Sequence, residues 1–210
     1  MSLTNIEATK SGKKNIERME DGAYPARIVK ITDLGIQESE YEGVMKQQHK
    51  VFIDFEFPTE MIVIGEEEKP RWLGKEYVVS THEKAAMTAL MSAADPKGEV
   101  TAKGRNLKGL IGLPVMVTVG TTSGGKAKVA AVGRLMKGLS VPELVNPSVF
   151  FDLDGKDVEQ FEKFPQWIKD KITSGIDFDD TPFAKALAKG VPFTSKNEDA
   201  EMSVDEESPY

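Results

Sequence analysis

The sequence predicts a mainly β fold in which one helix separates the third and fourth of five strands. Two stretches alternate between apolar and polar residues, as half-buried strands do: Lys50–Phe57 and Val115–Val119. Between them, Lys84–Ala94 is rich in Ala, Met and Leu, which favour helix. Three further strands complete the set, at Ala23–Ile31, at Trp72–Ser80 and at Lys126–Leu135.

Turn and breaker residues predict where these elements end. We expect an acidic loop from Gly35 to about Met45, and we expect Pro58 to stop the second strand. A hairpin connection is predicted at Gly65–Pro70. Ser80-Thr81-His82-Glu83 matches a capping box at the start of the helix, and Ser123-Gly124-Gly125 indicates a tight turn between the last two strands.

The resulting order, β-β-β-α-β-β, is that of the OB-fold, a five-stranded barrel that binds oligonucleotides. We therefore predict a flexible leader (1–21), an OB-type domain (22–138), a linker with a short helical extension (139–193) and a disordered acidic tail (194–210). In the extension, Pro165 is expected to divide Val158–Ile172 into two short helices, and Pro182–Leu187 adds a helical turn.

Composition excludes several classes of protein. The 210 residues include no cysteine, so a disulfide framework and a thiolate site are ruled out. No apolar run approaches the roughly 20 residues of a membrane-spanning helix, and the polar N-terminus is no secretory signal. We expect a cytoplasmic protein that needs no cofactor and no metal.

Charge is distributed unevenly along the chain. Although the net charge is −7, residues 95–138 contain eight Lys or Arg and only two acids, whereas residues 139–210 contain seven Lys and sixteen acids. Such asymmetry indicates a basic functional surface held apart from an acidic region. The alternative is that the basic residues are simply solvated loop charges.

The candidate binding residues combine cations with aromatic rings, because bases stack on rings while cations neutralise phosphates. Phe52 is the first candidate, since it faces away from Val51 and Ile53 beside Lys50; the alternative is that the helical extension covers it. The complete set is Tyr24, Arg27, Lys50, Phe52, Trp72, Lys75, Tyr77, Arg105, Lys108, Lys126, Lys128 and Arg134. The facing of Tyr24, Trp72 and Tyr77 is ambiguous, and for each of these three aromatic candidates the sequence favours a place in the core.

The tail offers a second type of site. A flexible polyanion could occupy the basic groove until DNA displaces it, and the free tail could then recruit basic partner proteins; alternatively it only aids solubility. The residues concerned are Glu198, Asp199, Glu201, Asp205, Glu206, Glu207 and Tyr210.

An enzyme is the main alternative. Gly120–Lys126 resembles a P-loop, but Ala127 stands where a Ser or Thr should hold magnesium. The acidic segments Asp152–Asp157 and Asp177–Asp180 could bind a metal for nuclease chemistry, although such residues more often form helix caps and turns. Neither His49 nor His82 has a recognisable nucleophile partner. A protein-binding adaptor is a third possibility.

The chain resembles the single-stranded DNA-binding proteins of bacteriophages. The resemblance is carried by Gly22–Val29, by Lys50–Pro58, by Phe151–Asp154 with Phe164–Ile168, and by the acidic tail that ends in an aromatic residue. It implies an OB-fold, sequence-independent binding of single strands, and roles in phage replication, recombination and repair inside the infected host cell. It also implies contacts of the tail with a polymerase or helicase, and a homo-oligomer is possible.

Overall fold

Six β-strands and four short α-helices make up the protein in a computed structural model that describes residues 18–41, 43–101 and 106–190. The strands are β1 (Gly22–Tyr41), β2 (Val44–Ile64), β3 (Glu67–Val78), β4 (Pro114–Thr121), β5 (Ala127–Gly133) and β6 (Val149–Phe151). The helices are α1 (Ala86–Ala94), α2 (Val158–Glu162), α3 (Gln166–Thr173) and α4 (Pro182–Ala188). The predicted order of elements is therefore found, with β6 added.

The strands form one antiparallel sheet in the order β3-β2-β1-β4-β5, and β6 also pairs with β1. Tyr24 of β1 lies opposite Val117 of β4. The β4–β5 ladder is interrupted by a register shift at Thr118/Val119. The protein is thus mainly β, as predicted.

The chain divides into two compact units. The first contains Met1–Ile31 and Phe52–Phe150, and the second contains Thr32–Val51 and Phe151–Tyr210. Strands β1 and β2 contribute residues to both. None of the helices in the described part of the chain has the length and hydrophobicity that crossing a membrane requires.

The core of the first unit consists of alternate residues of its strands together with one face of α1. Ile53, Phe55 and Phe57 are fully buried, as the alternation in the sequence predicts. Other core side chains are Ala26, Ile28, Val29, Ile31, Met87, Leu90, Leu110, Val115, Val117 and Val119.

The core of the second unit is built around phenylalanine rings. The Phe151 ring centroid lies 5.1 Å from those of both Phe164 and Phe183. Both rings are close to perpendicular to Phe151, which is a preferred arrangement of aromatic pairs. Pro165 does separate α2 from α3, as predicted. Asp157 caps α2 by accepting a 2.9 Å hydrogen bond from the backbone N–H of Gln160.

Three predicted boundaries are wrong. The expected loop after Gly35 is strand, because β1 continues to Tyr41. Strand β2 continues past Pro58 to Ile64, since proline removes one N–H donor but its φ is compatible with extended backbone. The third strand accordingly begins at Glu67, not at Trp72.

The predicted capping box is also wrong. Helix α1 begins at Ala86, and its N-cap, Ala85, makes no side-chain hydrogen bond. The Ser80 hydroxyl instead accepts a 3.2 Å hydrogen bond from the backbone N–H of His82. Such local side-chain bonds compete with helix and hold the chain in a turn.

Candidate nucleic-acid interface

An open cleft of about 720 Å³ in the first unit is bordered by the ends of β2 and β3 and by the β4–β5 turn. Its volume lies within the roughly 300–1,000 Å³ of typical ligand sites. The lining residues are Arg18, Met19, Ile62, Ile64, Lys69, Pro70, Arg71, Trp72, Leu73, Gly125, Lys126, Ala127 and Asn146.

The charges of the cleft have one sign. Four of the described lining residues are cations, namely Arg18, Lys69, Arg71 and Lys126, and none is acidic. A cleft lined by charges of one sign concentrates counter-ions of the other. An anionic ligand is therefore favoured here.

Lys69 and Arg18 have acidic neighbours outside the cleft. Lys69 Nζ lies 2.5 Å from Glu67, which holds the pKa of that carboxyl below its usual range, and Arg18 lies 3.7 Å from Asp21. Arg18 also donates a hydrogen bond to the Thr121 hydroxyl. Both ion pairs are solvent-exposed, and exposed pairs contribute little to stability. A phosphate group can replace such a partner at low cost.

The β4–β5 turn positions Lys126. Thr122 N–H donates to the Lys126 carbonyl at 2.8 Å, and the Thr122 hydroxyl accepts from Lys126 N–H at 3.0 Å. Gly125 completes the turn with a φ of 78°, which a residue with a side chain rarely adopts. The segment that resembles a P-loop is therefore a hairpin, not the strand–loop–helix that a P-loop requires.

Trp72 contributes an aromatic ring that is partly exposed. Lys30 Nζ of β1 lies 5.0 Å from the centre of the Trp72 ring and 3.5 Å from the carboxylate of Asp54 on β2, the strand between them. Burial raises the pKa of Asp54. The cation above one side of the ring, within about 6 Å, is a favourable cation–π contact, so it helps to fix the ring in place.

Phe52 is half-buried, and its ring lies over Gly74 of β3. A Cβ atom on Gly74 would overlap with that ring and with the Asp54 carboxylate. Phe52 and Trp72 therefore belong to the same group of side chains on β2 and β3. The neighbouring Lys50 is partly exposed but falls in the second unit.

Three of the other predicted residues, Tyr77, Lys75 and Tyr24, do not line the cleft. Tyr77 is 3% exposed, and burial raises its pKa, so no base can stack on it in this conformation. Lys75 donates to the Ala130 carbonyl at 3.3 Å and lies 5.6 Å from the centre of the Tyr77 ring. Tyr24 packs its ring edge-on against Phe57 and donates to the Glu20 carbonyl.

Arg27 has a structural role in this conformation. Its guanidinium donates to the carbonyls of Gly112, Val141 and Pro142 at 2.7–2.9 Å, and it also pairs with Glu143 at 2.9 Å. Four of its five N–H groups are therefore directed at protein acceptors. Arg27 fastens the segment 139–147, which we call the strap, and does not line the cleft.

The side chain of Glu56 is buried, which the sequence did not predict. Alternation puts its side chain on the outer face of β2, yet it is 0% exposed. Its carboxylate accepts hydrogen bonds from Val145 N–H at 2.7 Å, from Asn146 N–H at 3.2 Å and from the Asn146 side-chain amide at 2.7 Å. These donors compensate the buried charge.

The remaining predicted cations are exposed on the first unit. Lys128 is on β5, Lys108 is in a short 3₁₀ helix (Leu107–Leu110), and Arg134 follows β5. None of them lines the cleft. Arg105 and the predicted tail residues lie outside the described residues.

Several residues of the cleft were not predicted from the sequence. Arg18, Lys69, Arg71 and Asn146 line it but were not predicted. The run Lys69-Pro70-Arg71-Trp72 places two cations beside the predicted Trp72 and was a usable signal, but we assigned Lys69 and Pro70 to a hairpin connection. Nothing in the sequence singles out Asn146.

The described residues contain no group of three or more His, Asp or Glu side chains that could hold a metal ion. Asp152 instead stabilises a turn, where its carboxylate accepts a 2.7 Å hydrogen bond from Gly155 N–H.

No protein-family model, curated protein or solved structure matches the chain.

Proposed function

We propose that this protein binds single-stranded DNA, independently of sequence, in the cleft of the first unit, and that it is not an enzyme. One observation carries the proposal: four cations and a partly exposed tryptophan line a single open cleft whose described lining contains no carboxylate. Unpaired nucleic acid offers what such a lining binds, namely a chain of phosphates and bases with exposed faces.

We further propose that the first unit is an OB-type barrel. The strand order β3-β2-β1-β4-β5 is that of an opened OB barrel, which closes when β3 meets β5. The hydrogen bond from Lys75 of β3 to Ala130 of β5 supports this closure. The position of α1 between β3 and β4 supports it as well. The cleft, next to the β4–β5 turn, is then where OB-folds bind oligonucleotides.

The biological role in this proposal is that of a phage protein that protects single strands during replication, recombination and repair in the infected cell. The acidic tail would modulate DNA binding and recruit a polymerase or helicase.

The test uses tryptophan fluorescence. The chain contains two tryptophans, Trp72 in the cleft and Trp167 on α3 of the second unit. Titration with oligo(dT) should quench the fluorescence of the wild type and of Trp167→Phe, because a base stacks on Trp72. In Trp72→Phe the quenching should be lost. Raising the salt concentration should weaken binding steeply.

Competition with duplex DNA is the control for strand type. Duplex DNA of the same length should compete poorly. Quenching that survives in Trp72→Phe and disappears in Trp167→Phe would contradict the proposed site. Magnesium-dependent degradation of the oligonucleotide, or turnover of a nucleotide, would favour the enzyme instead.

A further inference from the structure

The strap (139–147) is held by two charges of opposite sign, although it has no regular secondary structure. Arg27 binds the carbonyls of Val141 and Pro142, and Glu56 binds the N–H groups of Val145 and Asn146. A cation thus satisfies acceptors, and an anion satisfies donors, within six consecutive residues. Charge-assisted hydrogen bonds of this kind are short and strong, so the strap is fixed against the first unit.

The fixed strap contributes Asn146 to the lining of the cleft. Asn146 is the only described lining residue whose side chain contains an oxygen atom, because the others are apolar or donate hydrogen bonds. In the proposed complex the cations bind phosphate groups, and Trp72 stacks on the face of a base. The side chains of these residues cannot accept a hydrogen bond from the edge of a base.

Glu56 also sets the orientation of the Asn146 amide. An ionised carboxylate only accepts hydrogen bonds, so the group 2.7 Å from Glu56 must be the amide NH₂. The amide oxygen then points away from Glu56, and no residue in the described part of the chain donates to it. The orientation does not depend on the ligand, because the buried Glu56 is held by two further backbone donors.

We propose that the Asn146 side-chain oxygen accepts a hydrogen bond from a base N–H of the bound strand, such as N3–H of thymine. This inference rests on the proposed function and adds a contact to the base edge. Every natural base carries at least one N–H donor, so the contact is compatible with binding that tolerates all sequences. It distinguishes nucleotides with an exposed donor from those in which the donor is blocked.

The experiment compares dye-labelled oligo(dT) with oligo(N3-methyl-dT) by fluorescence anisotropy, which does not depend on tryptophan. The wild type should bind oligo(dT) about fivefold more tightly, the usual value of one net hydrogen bond. Asn146→Ala should bind both oligonucleotides equally, with an unchanged dependence on salt, because the phosphate contacts remain. Circular dichroism and urea unfolding establish that the variant is folded.

The comparison of wild-type affinities for oligo(dT) and oligo(N3-methyl-dT) is a test that does not require Asn146→Ala to fold. Equal affinity of the wild type for the two oligonucleotides overturns the inference while leaving the proposed function in place. A preference that persists in Asn146→Ala also overturns it, because the methyl group then acts by steric bulk.

A separate arm compares oligo(dU) with oligo(rU). A wild-type preference for oligo(rU) that disappears in Asn146→Ala would assign the oxygen to the ribose hydroxyl, and would overturn the base-edge contact. Failure to bind any of the four oligonucleotides at low salt would overturn the proposed function itself.

Discussion

The ring of Phe52 on β2 occupies the space that a side chain at Gly74 on β3 would need. This relationship explains why glycine interrupts a strand that is otherwise composed of larger residues. It also explains how an aromatic side chain on the outer face of β2 becomes half-buried without leaving that face. Glycine in a strand often marks such a close approach.

Gly74→Ala should destabilise the protein by about 2 kcal/mol, because the added methyl group overlaps with the Phe52 ring and with Asp54. Urea unfolding measures the change. Gly133→Ala on β5 is the matched control, since a methyl group there meets no atom within 4 Å. Equal effects of the two substitutions would contradict the packing. Phe52→Leu should partly rescue Gly74→Ala, because the two sites are coupled.

Lys126→Ala should reduce the dependence of oligo(dT) affinity on salt. Each phosphate contact on a single strand contributes about −0.7 to the slope of log K against log[salt], so we expect a change of about 0.7. Fluorescence anisotropy at several salt concentrations gives the slope. Lys84→Ala is the control, because Lys84 is exposed but does not line the cleft. An unchanged slope for Lys126→Ala would place the backbone of the strand elsewhere.

Glu56→Ala should lower the free energy of unfolding by about 3 kcal/mol, since three partly buried donors of Val145 and Asn146 lose their acceptor. Glu68→Ala, an exposed acid on β3, should change it by less than about 0.5 kcal/mol. Similar values for the two variants would show that the strap contributes little to stability.

His49 should make stability depend on pH. A hydrogen bond from its ring to Asp33, at 2.6 Å, raises the pKa of His49, with smaller contributions from Asp177 and Asp154. The folded state therefore binds the proton more tightly than the unfolded chain. The stabilisation is fully present below the ordinary value of about 6.5, and it is lost as the pH rises through the raised pKa.

Urea unfolding of the wild type and of His49→Gln across this pH range checks the prediction. The stability difference between them should favour the wild type more at pH 5.5 than at pH 8.5. A difference that does not vary with pH, or that grows with pH, would contradict the ion pair with Asp33.

The order of strands and helices could be predicted from the sequence because it depends on local patterns. Apolar and polar residues alternate along Val51–Phe57, and α1 is composed of good helix formers. Pro165 separates α2 from α3. Strand ends were less predictable. Pairing with neighbouring strands extends β1 past Gly35 and β2 past Pro58, and the residue pattern of one strand does not show where its partner ends.

The site was predictable only in part, for a similar reason. Trp72 and Lys126 were predicted from residue type, and both line the cleft. Residue type alone could not separate them from Arg27 and Tyr77, which have the same chemistry. Arg27 instead binds carbonyls of the strap, and Tyr77 is buried. Those partners are set by tertiary packing and leave no local signal.

The anchoring of the strap limits how the chain can be shortened. A fragment ending at residue 138 would deprive Arg27 of three of its acceptors and Glu56 of every donor described above. The Arg27 guanidinium and the Glu56 carboxylate would then have to be hydrated in place of these hydrogen bonds. We expect such a fragment to misfold or aggregate. The strap must therefore be present at least to Asn146, and truncations intended for crystallography or for assays should retain the first unit as far as Phe150.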